Sequence, residues 1–393
     1  MPKKLIRGVV VGTTAALASA TMLMGVGGGV AHAGVVGNCG QVNTTAAPPS
    51  VVKGVDQNSA AVNFFAEQQN VTVPGAPALQ ADIVPPAAFP ATYATVASLP
   101  AAATGVTIPA GTKVDSFYVH TEPVGATTTP YTGTIRFDQP ILGVMIQWTA
   151  QGGPPGPTTL DSSDAVLGNV GTTYVGAHPV PSRGLELPVG GHDDQITLVD
   201  AHTLSFHFLT STETDDFRIV TAAAPAGAPS QGYRFVATDG GIFTYGNQPF
   251  LGSTGAITLN QPVVGGTNSC DTGGYWMVAS DGGIFSFGDA KFFGSMGNKP
   301  LNKPIVTMAG TPDSKGYWMF ASDGGVFSFG DAKFFGSTGA ITLNKPIVSA
   351  SSSPSGNGYW LAATDGGVFT FGDAKYFGST GAITLNKPIV GVL

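Results

Sequence analysis

The chain has 393 residues, of which only 10% are charged, and its net charge is −7. Glycine and proline are abundant, at 56 and 29 residues, as in proteins built from short strands joined by turns. Residues 34–231 hold 5 basic and 15 acidic side chains, whereas residues 232–393 hold 9 of each. Neither part has the basic surface that nucleic-acid binding requires, so that class of function is excluded.

Residues 1–33 have the pattern of an export signal. Three Lys or Arg side chains precede an uncharged apolar run over residues 9–30, and Ala-His-Ala at 31–33 provides the small residues of a cleavage site. The run is also long enough for a membrane anchor, but its glycines and the cleavage motif favour removal after Ala33. The pattern predicts a secreted, extracellular protein, in contact with the cell wall and without a transmembrane helix once the signal is cleaved.

Two cysteines, Cys39 and Cys270, occur in a chain that is expected to reach an oxidising compartment. One disulfide between them would tie the start of the mature chain to its C-terminal half. Two unpaired thiols are the alternative, because a sequence does not show which residues lie close together.

Residues 34–60 are rich in Thr, Ala and Pro and are interpreted as a lead-in or spacer. From residue 61 to 220, short apolar runs alternate with turn residues, and no stretch has a helical period. This pattern predicts an antiparallel β-sandwich of the jelly-roll-like type. The predicted strands cover residues 62–65, 71–73, 114–120, 133–137, 141–148, 184–187, 195–199, 203–209 and 217–220.

The same region resembles a β domain of secreted bacterial proteins that has no established activity. The likeness covers residues 55–222. It rests on Phe64-Phe65-Ala66-Glu67-Gln68-Gln69-Asn70-Val71, Asp115-Ser116-Phe117-Tyr118-Val119-His120, Phe137-Asp138-Gln139-Pro140-Ile141-Leu142-Gly143-Val144, Arg183-Gly184-Leu185-Glu186 and Asp216-Phe217-Arg218-Ile219-Val220.

The acids and histidines of the sandwich region have none of the spacings of known catalytic motifs. Its strongest candidate site follows two glycines, at His192, Asp193 and Asp194. Closely spaced loop carboxylates suit Ca²⁺, which takes six to eight oxygen ligands. A calcium site on these residues is one hypothesis, and solvated loop side chains are the alternative. No other cofactor is predicted.

Residues 221–231 combine small residues with two prolines and predict a linker. After the linker, one sequence pattern occurs four times over residues 232–393. Gly-Tyr recurs from Gly232 and Asp-Gly-Gly recurs from Asp239, both at a spacing of 42 residues. A fixed period of this length is typical of repeat architectures.

Each period is predicted to hold four strands, which in the second copy cover residues 275–280, 284–287, 291–294 and 304–306. Four strands in 42 residues suit one propeller blade, so the sequence predicts a small β-propeller of four repeats. Residues 388–393 repeat the Pro-Ile-Val strand once more. They are expected either to complete the first blade and close the ring, or to leave an open arc that closes on another chain as an oligomer.

The repeats resemble those of exported actinobacterial proteins. The likeness covers residues 232–393 and rests on Gly274-Tyr275-Trp276-Met277-Val278-Ala279-Ser280-Asp281-Gly282-Gly283 and Phe285-x-Phe287-Gly288-Asp289-Ala290, with their later copies. The first copy departs from the pattern, with Arg234 in place of Trp and Asn247-Gln248 in place of Asp-Ala. The resemblance implies a display or binding role at the surface or wall, without naming a ligand.

Two recurring residue types in the repeats are candidates for ligand binding. The tryptophans could stack on sugar rings, with packing between blades as the alternative. The aspartates that follow Phe-Gly could line a pore and hold a cation, with turn formation as the alternative. These residues are Trp276, Trp318 and Trp360, and Asp289, Asp331 and Asp373.

The predicted function is that of an exported, non-catalytic binding protein that recognises carbohydrate or another component of the cell envelope, such as a surface protein. A hydrolase or lyase for glycan or ester bonds, with its site in the sandwich, is the second hypothesis. A purely structural adhesin is the third. An enzyme would need two convergent carboxylates or a Ser-His pair in a cleft, whereas a lectin would need an exposed aromatic ring beside a polar loop.

Overall fold

The computed structural model describes residues 35–52, 55, 57–58, 60–76, 79–94, 106–124, 129–146, 159–174, 185, 194–210, 214–225 and 232–392. The predicted signal peptide and most of the predicted linker lie outside these residues. The described elements are strands apart from one α-helix, α1 (Thr159–Leu167), which the sequence pattern did not predict. No helix in the described part of the chain has the length and apolar character needed to span a membrane.

The first half is a sandwich of two sheets, as predicted. The strands are β1 (Val35–Gly40), β2 (Val42–Thr44), β3 (Val62–Ala66), β4 (Val71–Thr72), β5 (Gln80–Ala81), β6 (Ala91–Tyr93), β7 (Val106–Thr107), β8 (Lys113–Thr121), β9 (Thr129–Phe137), β10 (Ile141–Met145), β11 (Gln195–Leu198), β12 (Thr203–Thr210) and β13 (Asp215–Ala222). One sheet has the strand order β1-β9-β12-β11-β6 and the other the order β10-β13-β8-β3-β2, with β4 on the edge of β8, while among the described strands β5 and β7 pair only with each other. The pairs are antiparallel except β2 and β3, which run parallel.

The sandwich has two apolar layers because alternate side chains of a strand point to opposite faces. Phe64 and Phe117 point between the two sheets, where their rings stack at 5.8 Å. Phe65 and Tyr118, the next residues along, point to the other face and pack with Leu160 and Leu167 of α1. The helix therefore covers the outer face of the second sheet.

The interpretation of residues 34–60 as a spacer is wrong for their first part. Strand β1 pairs with β9 and β2 pairs with β3, so residues 35–44 belong to the sandwich. Cys39 in β1 forms a disulfide with Cys270, which lies 231 residues further along the chain. This bond joins the sandwich to the second repeat unit, and the two halves also touch where Gly37 lies against the backbone of Asp271.

The second half consists of four successive sheets, one for each repeat unit. The first unit has two strands and the other three units have three strands each, rather than the predicted four. The residues after the last strand of each unit, such as 291–294, are not a strand. The strands are β14 (Gly232–Val236), β15 (Ile242–Gly246), β16 (Val263–Asn268), β17 (Gly274–Ala279), β18 (Ile284–Gly288), β19 (Ile305–Gly310), β20 (Gly316–Ala321), β21 (Val326–Gly330), β22 (Ile347–Ser352), β23 (Gly358–Ala363) and β24 (Val368–Gly372).

The sheets follow one another as propeller blades do, with the first strands β16, β19 and β22 side by side. Strands β16 and β19 lie in direct contact, since a β-carbon at Gly265 would be 3.6 Å from the backbone of Thr307, an ordinary van der Waals distance. Hydrogen bonds also join successive units. The Tyr317 hydroxyl of the third unit donates to the Gly294 carbonyl of the second, and the Tyr359 hydroxyl of the fourth donates to the Gly336 carbonyl of the third, both at 2.6 Å.

Ring closure by strand exchange within one chain does not occur among the described residues. Strand β14 pairs with β15 alone, and residues 388–392 form no strand. Instead, Ile389 N donates to the Thr364 carbonyl at 2.8 Å, as Ile347 N does to Ser322 one unit earlier. The final segment therefore starts where the first strand of a following unit would start.

Candidate binding site

The tryptophans of the repeats are packing residues. Trp276 and Trp318 are 1% and 0% exposed, and Trp360 is half-buried. Each indole Nε1 donates to the backbone carbonyl of a lysine 15 residues later, at 2.8 Å. Burial contradicts the interpretation of Trp276 and Trp318 as sugar-stacking residues, and Trp360 occupies the same place in its sheet.

A different aromatic residue of each unit faces solvent. In the second and third units the second ring of the Lys-Phe-Phe-Gly segment, Phe293 or Phe335, packs inward and the first points outward, because neighbouring residues of an extended chain face opposite ways. The outward residues recur every 42 positions and are each 59–60% exposed: Phe250, Phe292, Phe334 and Tyr376. Their recurrence was visible in the sequence, but the segment was interpreted as a fourth strand, which hid their exposure.

Phe292 borders a groove of about 250 Å³ at the junction of the first two units. The first unit contributes a loop with Asn260 and Gln261, and the second unit contributes Asp281, Ser295 and Asn298, among other residues. The Asp-Gly-Gly turn positions Asp281, whose Oδ1 accepts a hydrogen bond from Gly283 N at 2.9 Å. The groove thus combines one exposed aromatic ring with amide, hydroxyl and carboxylate groups.

This groove is richer in amides than the same place in later units. The position of Gln261 is taken by Lys303 and Lys345 in the following copies. The position of Asn298 is taken by alanine in the third and fourth units. Amide side chains both donate and accept hydrogen bonds, whereas a lysine ammonium only donates. The junction of the first two units is therefore the best equipped to bind a neutral ligand with many hydroxyl groups.

The recurring aspartates serve turns within their own units. Asp373 accepts a hydrogen bond from Ser353 Oγ at 2.7 Å and another from Ser355. Asp289 accepts from Ser269 Oγ at 3.3 Å and lies beside Asp271. Burial, together with the nearby Asp271 carboxylate, raises the pKa of Asp289 to about 6. These contacts favour the turn-forming interpretation of the aspartates over a shared cation site.

The calcium hypothesis concerned His192, Asp193 and Asp194. His192 and Asp193 lie outside the described residues. Asp194 is 2% exposed, and its Oδ1 accepts a hydrogen bond from Leu209 N at 3.0 Å, so this carboxylate holds the adjacent strand β12. Across the part of the chain that the structure describes, no three His, Cys, Asp or Glu residues come together as metal ligands. Calcium binding stays a prediction for this loop.

The sandwich contains a buried His-Asp pair. His120 Nδ1 lies 2.6 Å from Asp216 Oδ1, and both side chains are completely buried. A hydrolytic site needs such groups to face a cleft that admits substrate. This pair faces the protein interior, so it gives no support to the hydrolase hypothesis, which stays a prediction.

No family model and no curated protein sequence matches the chain. Among solved structures it is similar to Sqt1 from Chaetomium thermophilum, at 14% identity and a TM-score of 0.31, over 70% of this chain and 71% of that one. It is also similar to the C-terminal WD40 domain of Sif2, at 12% identity and a TM-score of 0.24, over 66% of this chain and 75% of that one.

A third similar structure is Raptor from Chaetomium thermophilum, at 9% identity and a TM-score of 0.26. The match covers 46% of this chain and spans only 18% of that chain's length. At these scores the similarities carry no argument about function, and the candidate site rests on its own geometry.

Proposed function

We propose that this chain is an exported, non-catalytic binding protein that takes carbohydrate of the cell envelope, and that the groove beside Phe292 is its binding site. The observation that carries the proposal is the pairing of an exposed aromatic ring with three amide side chains, those of Asn260, Gln261 and Asn298, in one groove of about 250 Å³. Export is inferred from the sequence of residues 1–33 alone.

The chemistry of the groove matches that of a sugar ring. A sugar presents an apolar face of C–H groups, which packs on an aromatic ring, and a rim of hydroxyl groups, which both donate and accept hydrogen bonds. Phe292 supplies the ring and is 59% exposed, so it is open to a ligand without rearrangement. The amides and the Asp281 carboxylate supply partners for the hydroxyl rim.

A glycan array probed with the full chain tests this proposal. We expect at least one glycan class to be retained, and Phe292→Ala and Asn298→Ala each to weaken binding about tenfold or more, which corresponds to 1.4 kcal/mol. Val170→Ala, at an 86% exposed position of the sandwich, is the control and should leave binding unchanged.

Two outcomes would overturn the proposal. Retention of no glycan would remove carbohydrate as the ligand class. Glycan binding that survives both groove substitutions would move the site elsewhere. Phe334→Ala, at the equivalent position of the third unit, shows whether further units take part.

A further inference from the structure

The chemistry of the groove beside Phe292 recurs at the next junction, between the second and third units. Four of its groups have counterparts 42 residues later: the loop amide, the carboxylate of the Asp-Gly-Gly turn, the exposed ring and the hydroxyl that follows it. These counterparts are Asn302, Asp323, Phe334 and Ser337. Asp323 Oδ1 accepts a hydrogen bond from Gly325 N at 2.9 Å, as Asp281 Oδ1 does from Gly283 N. The turn therefore positions the carboxylate in the same way at both junctions.

The backbone on each side of Phe292 is held by a hydrogen bond to a buried aromatic residue. Before the ring, the Lys291 carbonyl accepts a bond from the indole of Trp276, in the same unit, at 2.8 Å. After the ring, Phe293 N donates to the hydroxyl of Tyr317, in the next unit, at 3.1 Å. The exposed ring thus extends from a segment that two units hold in place.

Phe334 is held by the same pair of bonds in the third unit. The backbone carbonyl before the ring accepts from the Trp318 indole at 2.8 Å, and the backbone amide after the ring donates to the Tyr359 hydroxyl at 3.1 Å. Phe292 and Phe334 are 59% and 60% exposed. A ring on a backbone that is already ordered loses little freedom when a ligand stacks on it, which lowers the entropic cost of binding.

The two junctions lie next to each other, because strand β16 of the second unit runs beside strand β19 of the third. Since both junctions present an aromatic ring with an amide, a carboxylate and a hydroxyl, a ligand that contacts both must repeat its own chemistry. A polysaccharide does so, because each sugar along it brings an apolar ring face and a rim of hydroxyl groups. A single sugar or a disaccharide occupies one junction only.

We propose that the ligand of this chain is a polysaccharide that lies across both junctions and stacks on Phe292 and on Phe334. The inference rests on the proposed carbohydrate-binding function and adds that the ligand is a polymer. The first junction is the stronger site, because Gln261 both donates and accepts hydrogen bonds whereas its counterpart Lys303 only donates. Once the polymer is bound there, contact with the second junction is intramolecular, which raises the overall affinity.

Affinity electrophoresis of the full chain, in gels that each contain one soluble polysaccharide, is the first step of the test. The polymers are mannan, arabinan, xylan and glycol chitin, and we expect at least one of them to retard the chain. Isothermal titration calorimetry then compares that polymer with its own disaccharide. We expect the polymer to bind at least tenfold more tightly than the disaccharide.

Substitution of each ring separates the two junctions. Phe334→Ala should weaken binding of the polymer about tenfold and leave the affinity for the disaccharide unchanged, because the disaccharide occupies the first junction. Phe292→Ala should weaken binding of both. Val170→Ala, on the exposed surface of the sandwich, is the control and should change neither affinity. Circular dichroism verifies that each variant is folded.

The outcomes distinguish failure of this inference from failure of the proposed function. A polymer that binds no more tightly than its disaccharide, or whose affinity is unaffected by Phe334→Ala, would confine the ligand to one junction and overturn the inference. The proposed function would then stand. The same holds if the polymers are not bound but the glycan array retains a short glycan. If neither polymers nor array glycans are bound, both proposals fail.

Discussion

Arg218 and Glu67 form an ion pair whose two side chains are completely buried beneath α1. The guanidinium Nε and Nη2 donate to the two carboxylate oxygens at 2.6 and 2.7 Å. A further bond of 2.9 Å from Nη2 to Asp164 ties the pair to the helix. The network holds α1 on the outer face of the sandwich. Apolar packing alone would fix the position of the helix less specifically.

Glu67→Gln should destabilise the sandwich by about 3–5 kcal/mol, because it leaves the Arg218 charge buried without a full counter-charge. Urea unfolding followed by circular dichroism measures this loss. Asp200→Asn is the matched control. It breaks the Arg136–Asp200 pair, in which Asp200 is 45% exposed, and should cost about 0–1 kcal/mol. Equal losses for the two variants would contradict a special role for the buried pair.

The Cys39–Cys270 disulfide should stabilise the joined halves, because it closes a loop of more than 200 residues in the unfolded chain. Replacing both cysteines by serine is expected to cost about 2–5 kcal/mol. Thermal unfolding of the wild type with and without reductant provides the same comparison in one protein. If reductant leaves the midpoint of the wild type unchanged, the bond does not support the assembly of the two halves.

Trp318 and Phe334 should behave in opposite ways when truncated. Trp318→Ala removes a fully buried ring and is expected to destabilise the repeat half by about 3–5 kcal/mol. Phe334→Ala removes a ring that is 60% exposed and should change stability by about 0.5 kcal/mol or less. Chemical unfolding of the two variants side by side measures the difference. Comparable losses would mean that Phe334 is a packing residue.

Asp289 should make the stability of the repeats depend on pH. Burial and the neighbouring Asp271 raise its pKa to about 6, so the folded chain keeps a proton that the unfolded chain has lost. This contribution is present at low pH and fades as the pH rises through about 6. Asp289→Asn cannot acquire the charge, and the first unit already carries Asn247 at this position.

The melting temperature of Asp289→Asn, relative to that of the wild type, should therefore rise between pH 4.5 and pH 7. Differential scanning calorimetry at several pH values measures the difference between the two proteins, in which the titration of other groups cancels. If the difference in melting temperature between the two proteins does not change with pH, ionisation of Asp289 beside Asp271 does not destabilise the folded repeats.

Local patterns were enough to predict the β class, the sandwich and the four repeat units. Alternation of apolar and polar residues indicates a strand from the local sequence alone. Asp-Gly-Gly indicates a turn because glycine accepts a positive φ, as Gly282 does at 80°. The helix α1 was not predicted, because only a few of its residues are apolar and pack on the sheet, which leaves no clear helical period in the sequence. The strands β1 and β2 were not predicted, because they form by pairing with β9 and β3 and their own composition does not indicate strands.

The choice between binding and packing residues depended on tertiary structure. Trp318 and Phe334 both recur at the same spacing in the repeats, yet Trp318 is buried and Phe334 is exposed. Which aromatic ring meets the neighbouring unit is set by how the sheets stack. The pairing of Cys39 with Cys270 is likewise a matter of distance in space, since 231 residues separate them in the chain. The sequence by itself determined the repeating unit, whereas stacking decided which of its surfaces remain open.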